Sequence, residues 1–163
     1  MGKIIEWVNR PRVQHPLRLT LNSRGAVRAL AFSPDGARLA QAVNDNVVLR
    51  DSTTGFTLST LSCGSDVLTI VLKDNMILAG CENGKIKLFK LNESQDWCEI
   101  QSEPPLSCSG IVWDVSFSQD GQHIAAAYQD GGVYIFSLNQ QSRDWEIRSE
   151  SPLRGHRYVP SLS

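Results

Sequence analysis

Three aspartates constrain this chain more than any other feature. Asp35, Asp74 and Asp120 each stand in a tight-turn signal between two apolar runs, at successive separations of 39 and 46 residues. The turns read FSPDG at Phe32 to Gly36, LKDN at Leu72 to Asn75, and FSQDG at Phe117 to Gly121. Asp-Gly and Asp-Asn suit hairpin turns that need positive φ, because Gly has no Cβ to clash and Asn tolerates that region. Each turn follows an apolar run, marked by Val27, Leu30 and Phe32, by Val67, Ile70 and Leu72, and by Val112, Val115 and Phe117. Each turn precedes a small-residue strand, at Leu39 to Val43, Met76 to Cys81 and Ile124 to Tyr128. A third run follows at Val47 to Arg50, Ile86 to Phe89 and Val133 to Phe136, and its last residue recurs at separations of 39 and 47. Two independent landmarks give one period, so this is a repeat protein.

A period of roughly 40 to 45 residues with four short strands per unit predicts propeller blades rather than helical solenoid repeats. Only Lys3 to Asn9 carries a helical pattern, and Pro11 would stop it. The expected blades run over 26–61, 66–101 and 111–149, preceded by an N-terminal extension over 1–16. Pro16 to Leu21 alternates as an orphan outer strand, and Tyr158 to Ser163 reads as the start of another inner strand. Glu150, Pro152 and Leu153 repeat Glu103, Pro105 and Leu106 at an offset of 47. Three blades do not close a ring, since propellers run from about four to eight. Either a longer propeller continues from here or copies assemble to close one. The first is preferred, because Met1 looks like a natural start and Ser163 does not look like an end.

The order of these motifs resembles the WD-repeat family of β-propellers. The FSPDG turn, the small-residue second strand, Asp130-Gly131, and Gly155-His156 after Pro-Leu carry the resemblance, which covers about Leu17 to Ser163. The tryptophan that names the family is missing, since Arg50, Phe89 and Phe136 close the third strands. Its histidine partner survives only as His156, with Ser109 at the matching place one unit earlier. A half-satisfied buried polar network is worse than an apolar one, so Phe89 and Phe136 are expected to pack as core.

The resemblance implies an all-β propeller segment acting as a non-enzymatic protein-interaction scaffold. Met1 to Arg12 carries no apolar h-region and no cleavage site, so an intracellular place, in the cytoplasm or nucleus, is expected by default. It also implies that the loops entering the inner strands lie on the partner-binding face. The variable position after the first Val of each inner strand points there, and holds Arg28, Leu68 and Trp113. Exposed Trp and Arg are enriched in binding hot spots. Glu82, Asp114 and Tyr128 are expected on neighbouring parts of that face. Other proteins are the expected partners, with self-association as a way to close the ring. Trp97 and Trp145, each after an Asp in an outer strand, are expected to cover the sheet beneath them.

Competing functions find less support. An enzymatic propeller needs ionisable groups along the channel, where Ala29, Thr69 and Asp114 are expected. A nucleic-acid or phospholipid binder needs a basic cluster, and Lys and Arg total 16 against 17 acids, with Arg10, Arg12, Arg18, Arg24 and Arg28 the only local group. Gly80 to Lys85 falls short of a phosphate loop and reads as a tight turn at Asn83-Gly84. His15, His123 and His156 are isolated, and no nucleophile elbow accompanies them. Cys63, Cys81, Cys98 and Cys108 lack CxxC spacing, so free thiols are expected, with no metal, cofactor, catalytic residue or small-molecule substrate. No run approaches membrane-spanning length.

Overall fold

The apolar runs on either side of the turn signals form strands that pair with their sequence neighbours, because short turns join them antiparallel. The structure is a computed structural model describing residues 20–101, 106–149 and 151–154. The expected helix over Lys3 to Asn9, the extension over 1–16, His156 and the strand from Tyr158 to Ser163 lie outside the described residues. Of the expected strand from Pro16 to Leu21, only Thr20 and Leu21 are described, and neither is in a strand.

The first sheet orders β1 (Val27–Phe32), β2 (Arg38–Val43), β3 (Asn46–Asp51) and β4 (Thr57–Ser62) side by side. The second repeats this with β5 (Val67–Lys73), β6 (Met76–Cys81), β7 (Ile86–Leu91) and β8 (Trp97–Ile100). The third has β9 (Val112–Phe117), β10 (His123–Tyr128), β11 (Gly132–Leu138) and β12 (Trp145–Ile147), and a short β13 (Leu153–Arg154) also pairs with β11. No helix occurs among the described residues. These are three antiparallel four-stranded blades.

Their registers coincide. Phe32, Leu39, Arg50 and Thr57 form one transverse row of the first blade. Leu72, Ile77, Phe89 and Glu99 form the same row of the second, and Phe117, Ile124, Phe136 and Ile147 that of the third. Since side chains alternate across a strand, this row and its partners line one face of each blade. That face meets the opposite face of the preceding blade. Ala40, Ala42, Val47 and Leu49 of the first blade pack with Ile70, Leu72, Ile77 and Phe89 of the second. Leu78, Ile86 and Leu88 of the second pack with Val115, Ile124 and Phe136 of the third. Fully burying one such aliphatic side chain contributes about 1.5–3 kcal/mol, so the core lies between blades. Phe89 and Phe136 are both buried there, as expected.

Small residues set how closely blades approach. At Gly80 an added Cβ would sit 2.6 Å from Val112 Cγ1 and 2.7 Å from Thr69 Cγ2. Only glycine leaves room for the third blade's first valine.

The turns are built from their own side chains. The Ser33 hydroxyl donates to Asp35 Oδ1, which also accepts the Ala37 N–H at 3.0 Å, while the Arg38 N–H donates to Ser33 Oγ at 2.9 Å. Ser118 and Asp120 repeat this with the Gln122 and His123 N–H groups, each at 2.9 Å. Gly36 and Gly121 both have φ of +70°. The middle turn differs. Lys73 replaces the serine, and Asp74 itself takes φ of +51°, rather than the Asn75 that the sequence suggested. Lys73 Nζ instead donates 2.7 Å to the Ser118 carbonyl of the next blade.

Arg50 departs from its row-mates. Its Nε donates to Gln41 Oε1 at 2.9 Å, its Nη1 to the Gly55 carbonyl and Thr57 Oγ1 at 3.1 Å each, and its Nη2 to the Asn22 carbonyl at 3.2 Å. The guanidinium thus ties the segment before β1 to the first blade.

Candidate protein interface

Arg28, Leu68 and Trp113 occupy the same structural niche. In the first blade Val27 pairs with Val43 and Ala29 with Ala42, which leaves Arg28 outside the ladder. In the second, Val67 pairs with Cys81 and Thr69 with Gly80, leaving out Leu68. In the third, Val112 pairs with Tyr128 and Asp114 with Ala127, leaving out Trp113. Each inner strand carries a β-bulge at its second residue, and a bulge re-aims the side chain it leaves unpaired. The three residues therefore recur at one level of three successive inner strands.

Their environments differ. Trp113 is 56% exposed, a large apolar surface held in water. Arg28 is also exposed, and its Nη2 donates to Asp66 Oδ2 at 2.9 Å. Asp66 precedes β5, so the ion pair spans two blades. Its carbonyl accepts the Glu82 N–H at 2.9 Å, which places Glu82, itself exposed, beside the pair. Leu68 is half-buried. Asp114 is exposed, with Oδ1 accepting the Thr69 hydroxyl at 3.1 Å and the Val115 N–H at 2.9 Å. Of the expected channel positions Ala29, Thr69 and Asp114, the last two thus join neighbouring inner strands by a hydrogen bond.

Tyr128 is a correction. It was expected on the exposed face, yet only 3% of it is accessible. Its hydroxyl donates 3.2 Å to the Gly84 carbonyl of the second blade, and its ring meets Tyr134 edge-on at 5.0 Å between centroids. Burial pushes the phenol well above its ordinary pKa. The physical reason lies in Gly84, in the β6–β7 turn. With φ of +81°, a Cβ there would stand 2.5 Å from the Cys108 carbonyl oxygen, so the turn presses against the segment leading into β9 and closes over Tyr128. Asp66 was not singled out in the sequence, Thr69 was read there only as a channel position and Gly84 only as a turn residue, since their roles at the blade junctions depend on spatial neighbours.

A second pair marks the other blade junction at the equivalent place. Cys63, in the segment leading into β5, and Cys81 lie in one buried core. The neighbouring Cys81 thiol and burial push the Cys63 thiol far up. Trp97 and Trp145 pack against the two inter-blade cores, and Trp145 lies 6.4 Å from the Phe117 ring. Both have the covering role expected of them. Of the basic group, Arg28 is neutralised by Asp66, and Arg10, Arg12 and Arg18 lie outside the described residues.

With strands, registers and turns in place, residues 102–137 match the family model described as "WD domain, G-beta repeat". This stretch is a WD repeat. Solved structures agree on the fold. The chain resembles the computationally designed Ika4 protein with TM-score 0.59 and 22% identity, covering 72% of this chain and 70% of that one. The computationally designed Ika8 protein gives TM-score 0.56 and 20% identity, covering 71% of this chain and 34% of that one. A chain in the mitotic checkpoint complex gives TM-score 0.62 and 17% identity, covering 73% of this chain and 38% of that one. The chain thus spans little more than a third of the last two. No curated protein sequence matches it. At these identities the likeness establishes the propeller fold alone.

Proposed function

We propose that this WD-repeat segment is a non-enzymatic scaffold that binds other proteins through the bulged ends of its inner strands. WD repeats and propeller folds serve protein interaction in general; the particular surface is the new element. The observation that supports it is the recurrence of one β-bulge in three blades, presenting Arg28, Leu68 and Trp113 at one level. The bulge frees these side chains from the ladder, while the blade beneath holds their backbone rigid. A partner therefore meets a preorganised surface and loses little conformational entropy there. Trp113 supplies apolar area with an indole N–H, Asp114 follows it in β9, and Glu82 adds an acidic group beside the Arg28–Asp66 pair. A partner with an apolar anchor flanked by basic residues fits this surface.

The test is site-specific photo-crosslinking in cells. A photoreactive amino acid at position 113 or 68 is expected to capture other proteins, and one at the exposed outer-strand loop position Glu93 is not. Equal capture at all three positions, or capture at Glu93 alone, would sink the assignment.

A further inference from the structure

The outer edge of the first blade lacks the protection that the other two carry. β4 has six residues with no charge and no proline, whereas β8 has four and β12 three, each with a glutamate. Edge strands are usually short, charged or broken by proline, because their free N–H and C=O groups template another strand. The Cys63 N–H donates to the Asp45 carbonyl at 2.8 Å, which fixes the alternation along the β3–β4 pair. Leu61 and Ser59 therefore bond inward to β3, while Thr60 and Ser62 turn their N–H and C=O groups outward. Among the described residues no other strand pairs with this edge. It lies on the rim of the blade array, so blades added before the first or after the third would leave it as it is.

The edge borders a cleft. Leu49 opposes Ser59 and Arg50 opposes Thr57, so a bulge leaves Leu58 outside the ladder, 53% exposed. Leu58, Ser59 and Arg38 form one wall of a cleft of about 240 Å³, and Leu91, Asp96 and Trp97 of the second blade line the other. Small-molecule sites take roughly 300–1,000 Å³, so this cleft suits a single side chain. Its two walls carry opposite charges. Among the described residues the half-buried Arg38 guanidinium and the exposed Asp96 carboxylate make no hydrogen bond or ion pair. Asp35, whose carboxyl feels the Arg38 charge, is already engaged by Ser33 and the Ala37 N–H.

We infer that an extended segment of another protein adds to β4 as a fifth strand of the first blade, seating one apolar side chain in the Leu58–Trp97 cleft between an acid facing Arg38 and a base facing Asp96. Backbone bonds to Thr60 and Ser62 supply affinity, and the cleft supplies specificity, as in strand addition to sheet edges generally. Alternation places the acid, the anchor and the base two residues apart on one face of the added strand. A second copy of β4 does not meet this need, because its Thr-Leu-Ser-Thr-Leu-Ser run brings no charge to either wall.

The experiment is a titration of the full chain with two synthetic peptides, Thr-Glu-Thr-Leu-Thr-Lys-Thr and the same peptide with Gln in place of Glu and Lys, read by fluorescence anisotropy and amide hydrogen exchange. The charged peptide is expected to bind about fivefold more tightly, the size of one favourable ion pair, and to lose that advantage in the double variant Arg38→Gln, Asp96→Asn. Thr60→Pro removes one outward N–H at an edge position, where proline is tolerated, and should abolish binding of both peptides. Leu58→Lys, which puts a charge on the edge, should do the same, with circular dichroism confirming that each variant folds. Exchange at the Thr60 and Ser62 amides should be fast in the free chain and slow with peptide bound. Binding of neither peptide would overturn the inference, as would binding that survives both edge variants. Slow exchange at Thr60 and Ser62 in the free chain would also overturn it, since the edge would then be covered already. Crosslinking at position 113 reads the bulged strand ends instead, and Glu93 does not line this cleft, so the two tests fail independently.

Discussion

At the scale of single residues, the same position in successive strands is used for opposite ends. Trp113 is exposed at a bulge and packs into neither inter-blade core, so Trp113→Ala is expected to leave the melting temperature nearly unchanged while weakening partner capture. A large fall in melting temperature without loss of capture would show that the indole belongs to the core. Phe136 is its converse. Buried between blades, Phe136→Ala should cost about 3–5 kcal/mol, measured by urea unfolding. Tyr128→Phe removes only the hydroxyl that reaches the Gly84 carbonyl, and should cost about 0.5–1.5 kcal/mol. The sequence made Phe136 legible because its neighbours repeat at a fixed period. Tyr128 was misread for the same reason: periodicity places a residue on a strand, but the turn that folds over it belongs to another blade.

At the scale of elements, the turns and faces were legible unequally. Asp-Gly spacing located the hairpins, since each carries its chemistry within five residues. The bulges were not legible as bulges, because no glycine marks them and only the cross-strand register reveals them. Gly80 lay hidden in a small-residue strand, its purpose set by Val112 across the blade junction. Gly80→Val should therefore lower stability far more than Ala79→Gly on the same strand, and equal melting temperatures for the two would refute the close approach. The turn aspartates carry a pH signature. The Ser33 hydroxyl and the Ala37 N–H hold the Asp35 carboxyl below its ordinary 3.8, and Ser118 with the Gln122 N–H do the same for Asp120. A depressed folded value means that the contribution is present above the ordinary value and is lost as pH falls through the folded one. The melting temperature should drop more steeply below about pH 4 in the wild type than in the double variant Asp35→Asn, Asp120→Asn. Parallel curves would show that these carboxylates do not couple to folding.

At the scale of the molecule, stability is shared between blades rather than contained within them. Each described core lies at a junction, so the middle blade holds half of two cores, each end blade half of one, and no blade a complete core. Unfolding is then expected as one transition, not three, in calorimetry of the full chain. This level was legible only in outline: three blades do not close a ring, so exposed end faces were expected, but which residues form them, with Leu30 and Phe32 exposed where Ile70 and Leu72 are buried, is read from the structure.

The bulges carry an evolutionary consequence. A residue outside the ladder contributes little to folding, so Arg28, Leu68 and Trp113 can change without retuning the registers on either side. Three blades thus offer three positions at which recognition can be rewritten one substitution at a time, on a frame that selection for stability leaves alone.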